Sequence, residues 1–245
     1  MKRNPLTSCI LFPTRTLACW LLAAAVLLAS SVPRSYAESG PGDPGQTASE
    51  NFVRTNLERG LGILDDRGIP DAQRAAQLRV FLNSLIDVRR LALFSLGLGN
   101  ISARPAQINR FVDTFGSYVI SYYETMLLKY YSGQIARVTG CARDDPDGYV
   151  VTVELVSPNR QQQDDPGNQP IEMDFRLVDD GGHFIVSDVA LAGVWLGQQE
   201  RGRINDYLLE TNGNIGGLIA QLRASTERLQ NVAGTDTSQQ QAGAL

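Results

Sequence analysis

Histidine is almost missing from this chain: His183 is the only one in 245 residues. A zinc centre built on imidazoles is therefore excluded, and no spacing of carboxylates supplies a ligand set in its place. Cysteine is nearly as scarce. Cys9 and Cys19 lie near the N-terminus, so Cys141 stands alone in the rest and no internal disulfide framework can form. A G-x-S-x-G nucleophile elbow is absent, and Cys141 has no histidine close in sequence to serve as its base. Glycine clusters occur at Gly60-Leu61-Gly62 and Gly213-Asn214-Ile215-Gly216-Gly217, but neither follows a strand inside a βαβ unit, so no phosphate loop is read there. Asp144, Asp145 and Asp147 before Gly148 lack the alternating spacing and distal Glu of a calcium loop, which leaves a solvated turn. No metal and no cofactor are expected.

Basic charge is also short, with 22 Lys and Arg against 26 Asp and Glu. Only one long apolar run exists, from Leu17 to Ala29, preceded by Lys2, Arg3 and Arg15 and followed by Ser35-Tyr36-Ala37. That order predicts a cleaved export signal over residues 1–37, with cleavage after Ala37. The run is shorter than the roughly 20 residues that span a bilayer. Cys19 sits at its front, whereas a lipidated cysteine would follow it. Loss of residues 1–37 removes four basic residues and no acid, which takes the net charge from −4 to −8. Nucleic acid is not an expected partner.

Residues 38–48, with Gly40-Pro41-Gly42-Asp43-Pro44-Gly45, read as a flexible leader to a single domain over 49–232. Ser49 is the expected N-cap of a helix carrying Phe52, Val53, Leu57, Leu61 and Leu64 at helical spacing. Pro70-Asp71 opens a second helix, with Ala75, Leu78, Leu82, Leu85 and Ile86, expected to run on through Asp87 to Gly97. The longest helix should extend from Pro105 to about Tyr130, roughly 39 Å at about 1.5 Å per residue. On it Phe111, Phe115, Val119, Tyr122 and Met126 share one stripe, which either packs the core or borders a ligand cavity.

From Gln134 the period becomes alternating. Tyr149, Val151, Val153 and Leu155 share one strand face opposite Thr152 and Glu154. Ile171, Met173, Phe175 and Leu177 alternate likewise with Glu172, Asp174 and Arg176. With Ile135–Ala142 and Phe184–Val189, this predicts a four-stranded, largely antiparallel sheet with one apolar and one wet face. Turns are expected at 144–148 and 179–182, with a polar connection over Gln161–Gln169. Helices over Leu196–Leu209 and Ile215–Leu229 follow, and residues 233–245 read as a disordered tail. The fold class is α+β. Among groups able to do chemistry, His183 and Asp188 form the most defensible pair, as in a small isomerase or dehydratase. Five residues apart on one strand, however, they point to opposite faces.

Several stretches, in order, resemble the MlaC or toluene-tolerance family. They are Asp87 through Leu96-Gly97 with Pro105-Ala106-Gln107, Phe111 and Phe115; Tyr122-Tyr123 to Tyr130-Tyr131-Ser132-Gly133; Ile171 to Leu177 with Ser187-Asp188-Val189 and Ala192-Gly193-Val194; and Ile215 to Ile219 with Leu222. Departures occur at Gly99 and Asn100, where the family usually has an aromatic, and at Trp195, where it usually has serine. The resemblance implies a helical layer on a curved sheet enclosing an apolar cavity, and no catalytic residues. It implies a periplasmic carrier of phospholipid, or of a hopanoid-type lipid, serving an inner-membrane ABC transporter complex and an outer-membrane lipoprotein complex. The lipid-binding residues expected are Phe111, Phe115, Val119, Tyr122 and Met126 on the helix, and Val151, Val153, Met173, Phe175 and Leu177 on the sheet. The alternative to a carrier or an enzyme is a periplasmic adaptor whose apolar faces fill each other.

Overall fold

The computed structural model describes residues 43–97, 99, 103–144, 148–157 and 170–242, with side chains to residue 231. The expected signal, the start of the leader, the turn residues 145–147 and the connection 161–169 lie outside the described residues. Among the described residues six helices and five strands follow one another as α1 (Pro44–Asp65), α2 (Asp71–Leu85), α3 (Val88–Leu96), α4 (Pro105–Tyr130), β1 (Ile135–Asp144), β2 (Gly148–Val156), β3 (Ile171–Asp179), β4 (Phe184–Leu191), β5 (Val194–Trp195), α5 (Leu196–Glu210) and α6 (Ile215–Ala242). Helices first, a meander of strands, then helices: the α+β class is the observed one.

The first helix starts earlier than the sequence suggests. Pro44 does not break it but opens it, because the missing N–H falls where a helix has no acceptor to offer. Asp43 is the cap, accepting the Gly45 N–H at 2.9 Å. Ser49, the expected cap, lies buried one turn inside and donates its hydroxyl to the Gly45 carbonyl at 2.7 Å. At the other end of the chain, α6 continues through residues 233–242, where a disordered tail is the sequence expectation.

Helix α2 does not run on into α3. Ile86 takes an extended backbone, φ −101° and ψ 129°, and bridges Val186 of β4. Asp87 donates its N–H to the Val186 carbonyl at 2.9 Å, and its carboxylate accepts the Arg90 N–H as a new N-cap. This two-residue break ties the helices to the sheet. The long helix α4 occupies Pro105–Tyr130 as its spacing predicts. It packs along α6 and is joined to α2 by Arg79, whose guanidinium meets the buried Glu124 carboxylate at 2.7 and 3.0 Å.

The sheet is a meander in sequence order, antiparallel at each pairing. It has five strands instead of the expected four. The fifth is only two residues long, too short to show an alternation, and a tight turn with Ala192 at φ 48° and Gly193 at φ 77° folds it back on β4. Register shifts at Val138/Gly140 and Arg176/Leu177 mark bulges that bend the sheet. Its face away from α1 is not wholly wet. Thr152 donates to Asp174 at 2.7 Å there, but Val150, Ala190 and Trp195 form a small buried cluster beside α5.

The main apolar interior falls into two clusters. A helical one contains Leu78, Leu96, Phe111, Phe115, Ile204 and Leu222; a sheet-side one contains Val53, Val151, Val153, Leu177 and Val186. Leu85, at the end of α2, packs against both.

Candidate functional site

The expected lipid-binding residues divide between these clusters. Phe111, Phe115 and Val119 are buried in the helical one, with the two phenyl rings 5.5 Å apart. Tyr122 is 36% exposed and Met126 is half-buried, so the stripe emerges from the interior in its last turns. Val151, Val153 and Leu177 are buried in the sheet-side cluster, and Met173 and Phe175 are half-buried against it. Helix α1, through Phe52, Val53 and Leu57, contributes to this sheet-side cluster. The α4 stripe and the sheet face thus belong to separate clusters. Sequence periodicity shows which side chains turn inward, but nothing in it says which element meets which.

Between α1 and β1 lies a groove of about 400 Å³, lined by Arg54, Leu57, Glu58, Leu61, Ala136, Arg137 and Val138. Leu57 packs on the sheet-side cluster and Leu61 on the helical one, so the groove sits over the join between them. Ala136 and Val138 belong to the sheet-side packing as well. Arg54 and Glu58 are exposed at its rim, whereas Arg137 alternates with Ala136 and Val138 and stands opposite Glu154 on the other face of the sheet. Nothing in the sequence marks this groove, because it depends on a helix and a strand about 80 residues apart coming side by side. A second, shallow depression of about 540 Å³ is confined to α3 and its cap, at Asp87, Arg89, Arg90, Leu93 and Phe94.

Helix α1 is latched to the β1–β2 hairpin. The Tyr149 hydroxyl donates to Asp43 at 3.1 Å, and Arg143 approaches the same carboxylate at 3.8 Å while lying 5.5 Å from the Tyr149 ring centroid. Cys141, on β1 beneath this helix, is half-buried and unpaired. Burial, reinforced by the negative charges of Glu50 and Asp43, pushes its thiol up to about 12, so at neutral pH it is protonated and not a nucleophile.

The residues that could do acid–base chemistry are otherwise engaged. Asp188 accepts the N–H groups of Val189 and Gly197 at 2.9 and 3.0 Å, and the Arg176 guanidinium lies 3.9 Å from its other oxygen. Arg176 also stacks 4.1 Å from the Trp195 ring centroid and donates to Asp144 at 2.6 Å. Desolvation pushes the Asp188 carboxyl up, opposed by the two backbone bonds and the arginine charge. His183 is exposed at the β3–β4 turn, five residues along the strand and therefore roughly 17 Å away. The pair is not brought together. Between α4 and α5, Tyr118, Tyr122 and Tyr123 gather near Glu200 and Arg203; burial pushes Tyr118 up to about 12, so it stays a neutral phenol. Among the described residues no group of three or more His, Cys, Asp or Glu could hold a metal ion.

The geometry is thus that of a domain with two apolar clusters and a groove over their join. The model of the MlaC protein family matches residues 61–224. This chain belongs to the MlaC family. The stretches that carry the resemblance, from Asp87 to Leu222, all lie inside the matched segment. Among solved structures, the MlaC chain is similar to the phospholipid-binding protein from Ralstonia solanacearum, determined in complex with a phospholipid at 1.53 Å. The TM-score is 0.60 at 22% identity, over 74% of this chain and 98% of that one, which establishes a shared fold. No curated protein matches. Because the family match begins at Leu61, the part of α1 that holds Arg54 and Glu58 precedes it.

Proposed function

We propose that this MlaC-family protein is a periplasmic carrier that takes up the acyl chains of a phospholipid between its helical and sheet-side clusters. It moves the lipid between inner and outer membranes as the soluble element of an ABC transport system. The observation that carries this reading is the division of the apolar interior into two clusters, with an apolar-floored groove over their join. A domain of this size ordinarily closes on one contiguous core. Two clusters that share few members can part along their join at a modest cost in packing, and acyl chains can take the place of the lost contacts. The phospholipid held by the Ralstonia protein of the same fold supports this choice of ligand.

The energetics suit a shuttle. Burying two chains of about 16 carbons gains roughly 25 kcal/mol gross against water, at about 0.8 kcal/mol per CH₂. A bilayer offers nearly the same, so the carrier needs only to match the membrane, and apolar walls of Val, Leu, Met and Phe provide that. No helix among the described residues is long and apolar enough to cross a membrane.

The test is transfer between vesicles. Donor vesicles containing a self-quenched fluorescent phospholipid are mixed with unlabelled acceptors, and dequenching is followed as protein is added. The rate should rise in proportion to protein concentration. A rate equal to that without protein contradicts the proposal.

A further inference from the structure

Helix α3 buries Leu91, Ala92, Ser95 and Leu96 and leaves Arg89, Arg90, Leu93 and Phe94 around the shallow depression of about 540 Å³. Arg89 and Leu93, like Arg90 and Phe94, are four residues apart and so stand one above the other on this face. Phe94 is 40% exposed, and Arg201 of α5 braces it, with the guanidinium 5.1 Å from the ring centroid. The acids close by are engaged. Asp87 accepts the Arg90 N–H at 2.9 Å and the Arg90 guanidinium at 3.2 Å, and Glu200, beside Arg201 in sequence, pairs with Arg203 at 2.9 Å. Arg89 engages no side-chain partner among the described residues. Three guanidiniums thus surround an exposed phenyl ring, with Asp87 the one carboxylate lining the depression.

We infer that this face of α3 docks the protein on an anionic lipid bilayer. Guanidinium forks match the phosphate oxygens of headgroups, each arginine adds attraction at a negatively charged surface, and an exposed ring buries apolar area at the headgroup boundary. The chain as a whole carries a net charge of −4, so the attraction is local to the patch and fixes which face meets the membrane. An acidic peptide fits less well. The depression is lined by one helix and its cap, so it lacks the second wall against which a helix or strand would pack, whereas fluid headgroups mould to a shallow surface. The inference concerns how the protein meets a bilayer and is independent of where a lipid is held inside it.

The experiment is co-sedimentation with sucrose-loaded vesicles of phosphatidylcholine alone, or of phosphatidylcholine and phosphatidylglycerol in equal parts. Protein cleaved after Ala37 is used, because the apolar run from Leu17 to Ala29 would itself enter a bilayer. Wild type should bind the mixed vesicles and not the neutral ones, and should be released as added salt contracts the Debye length from about 8 to about 3 Å. Arg89→Gln and Arg201→Gln should each weaken that binding roughly fivefold, the effect of one basic residue at an anionic surface, with circular dichroism as in wild type. Arg137→Gln, on β1 and away from the β4 strand that α3 packs on, should bind as wild type does. In Phe94→Trp the new indole should shift its emission to the blue on the mixed vesicles, against a constant background from the buried Trp195. Wild type that ignores the mixed vesicles would overturn the assignment and leave the patch to an acidic protein segment. Equal binding to both kinds of vesicle, an unshifted indole in the vesicle-bound protein, or as large a loss from Arg137→Gln as from Arg89→Gln would overturn it too.

Discussion

Glu200 shows how single residues carry burial into measurable behaviour. Its carboxyl is pushed up by desolvation, opposed by the Arg203 charge and hydrogen bond. A carboxyl raised in the folded state binds its proton more tightly there than in the unfolded chain. It therefore adds stability below its unfolded value and loses that contribution as pH rises through the folded one. Thermal melts should show this as a fall in Tm with rising pH over the interval just above the ordinary glutamate pKa of 4.5. In Glu200→Gln that part of the slope should flatten; an unchanged slope would mean that Glu200 is not desolvated. At this scale the sequence was most legible where periodicity is strong. Phe111, Phe115, Val151, Val153 and Leu177 turn inward as their spacing requires, because a 3.6-residue or two-residue period fixes the side of an element. The groove between α1 and β1 was not legible, since it forms only where two elements distant in sequence come side by side.

Among elements, α1 is the one whose placement depends on a few contacts. Asp43 both caps the helix and accepts the Tyr149 hydroxyl. Asp43→Ala should cost about 1 kcal/mol in denaturant unfolding, the usual worth of a cap. A methyl group on Gly45 would collide with that same hydroxyl, so Gly45→Ala should also lower stability, although alanine is the better helix former. A Gly45→Ala protein as stable as wild type would show that α1 docks less closely than described. The β4–β5 turn predicts the opposite sign. Ala192 holds φ 48°, a left-handed conformation that favours glycine, so Ala192→Gly should raise stability by about 0.5–1 kcal/mol. Helix α4 was legible from Pro105 to about Tyr130 because a proline opens it and an apolar stripe runs along it. The start of α1 was misread because Pro44 and Gly45 look like breakers out of context. The break at Ile86-Asp87 was missed because only the bridge to Val186 distinguishes it from continuing helix.

At the scale of the whole molecule, the order of helices and strands was legible and the division of the core was not. Alternating strands and amphipathic helices state that apolar faces exist; which faces meet is decided by tertiary packing, here by α1 contributing Val53 to the sheet-side cluster and α4 lying along α6. The proposed carrier reading rests on that division. A charge placed on the sheet-side wall separates a lipid chamber from an ordinary core. Phe175 is half-buried against the sheet-side cluster, so Phe175→Glu puts a carboxylate where acyl chains are proposed to lie, and an ionised carboxylate resists hydrocarbon. The variant should stay folded by circular dichroism because water can follow the charge into an opened seam, whereas an unpaired charge sealed in a closed core would cost more than about 4 kcal/mol. Glu172→Ala, exposed on the same strand, is the matched control.

The most direct measurement is native mass spectrometry of protein purified without detergent. Wild type and Glu172→Ala should carry an added mass equal to one diacyl phospholipid, and folded Phe175→Glu should carry much less. A wild-type protein that is empty of lipid, or a folded Phe175→Glu with the wild-type lipid content, would contradict binding between the two clusters.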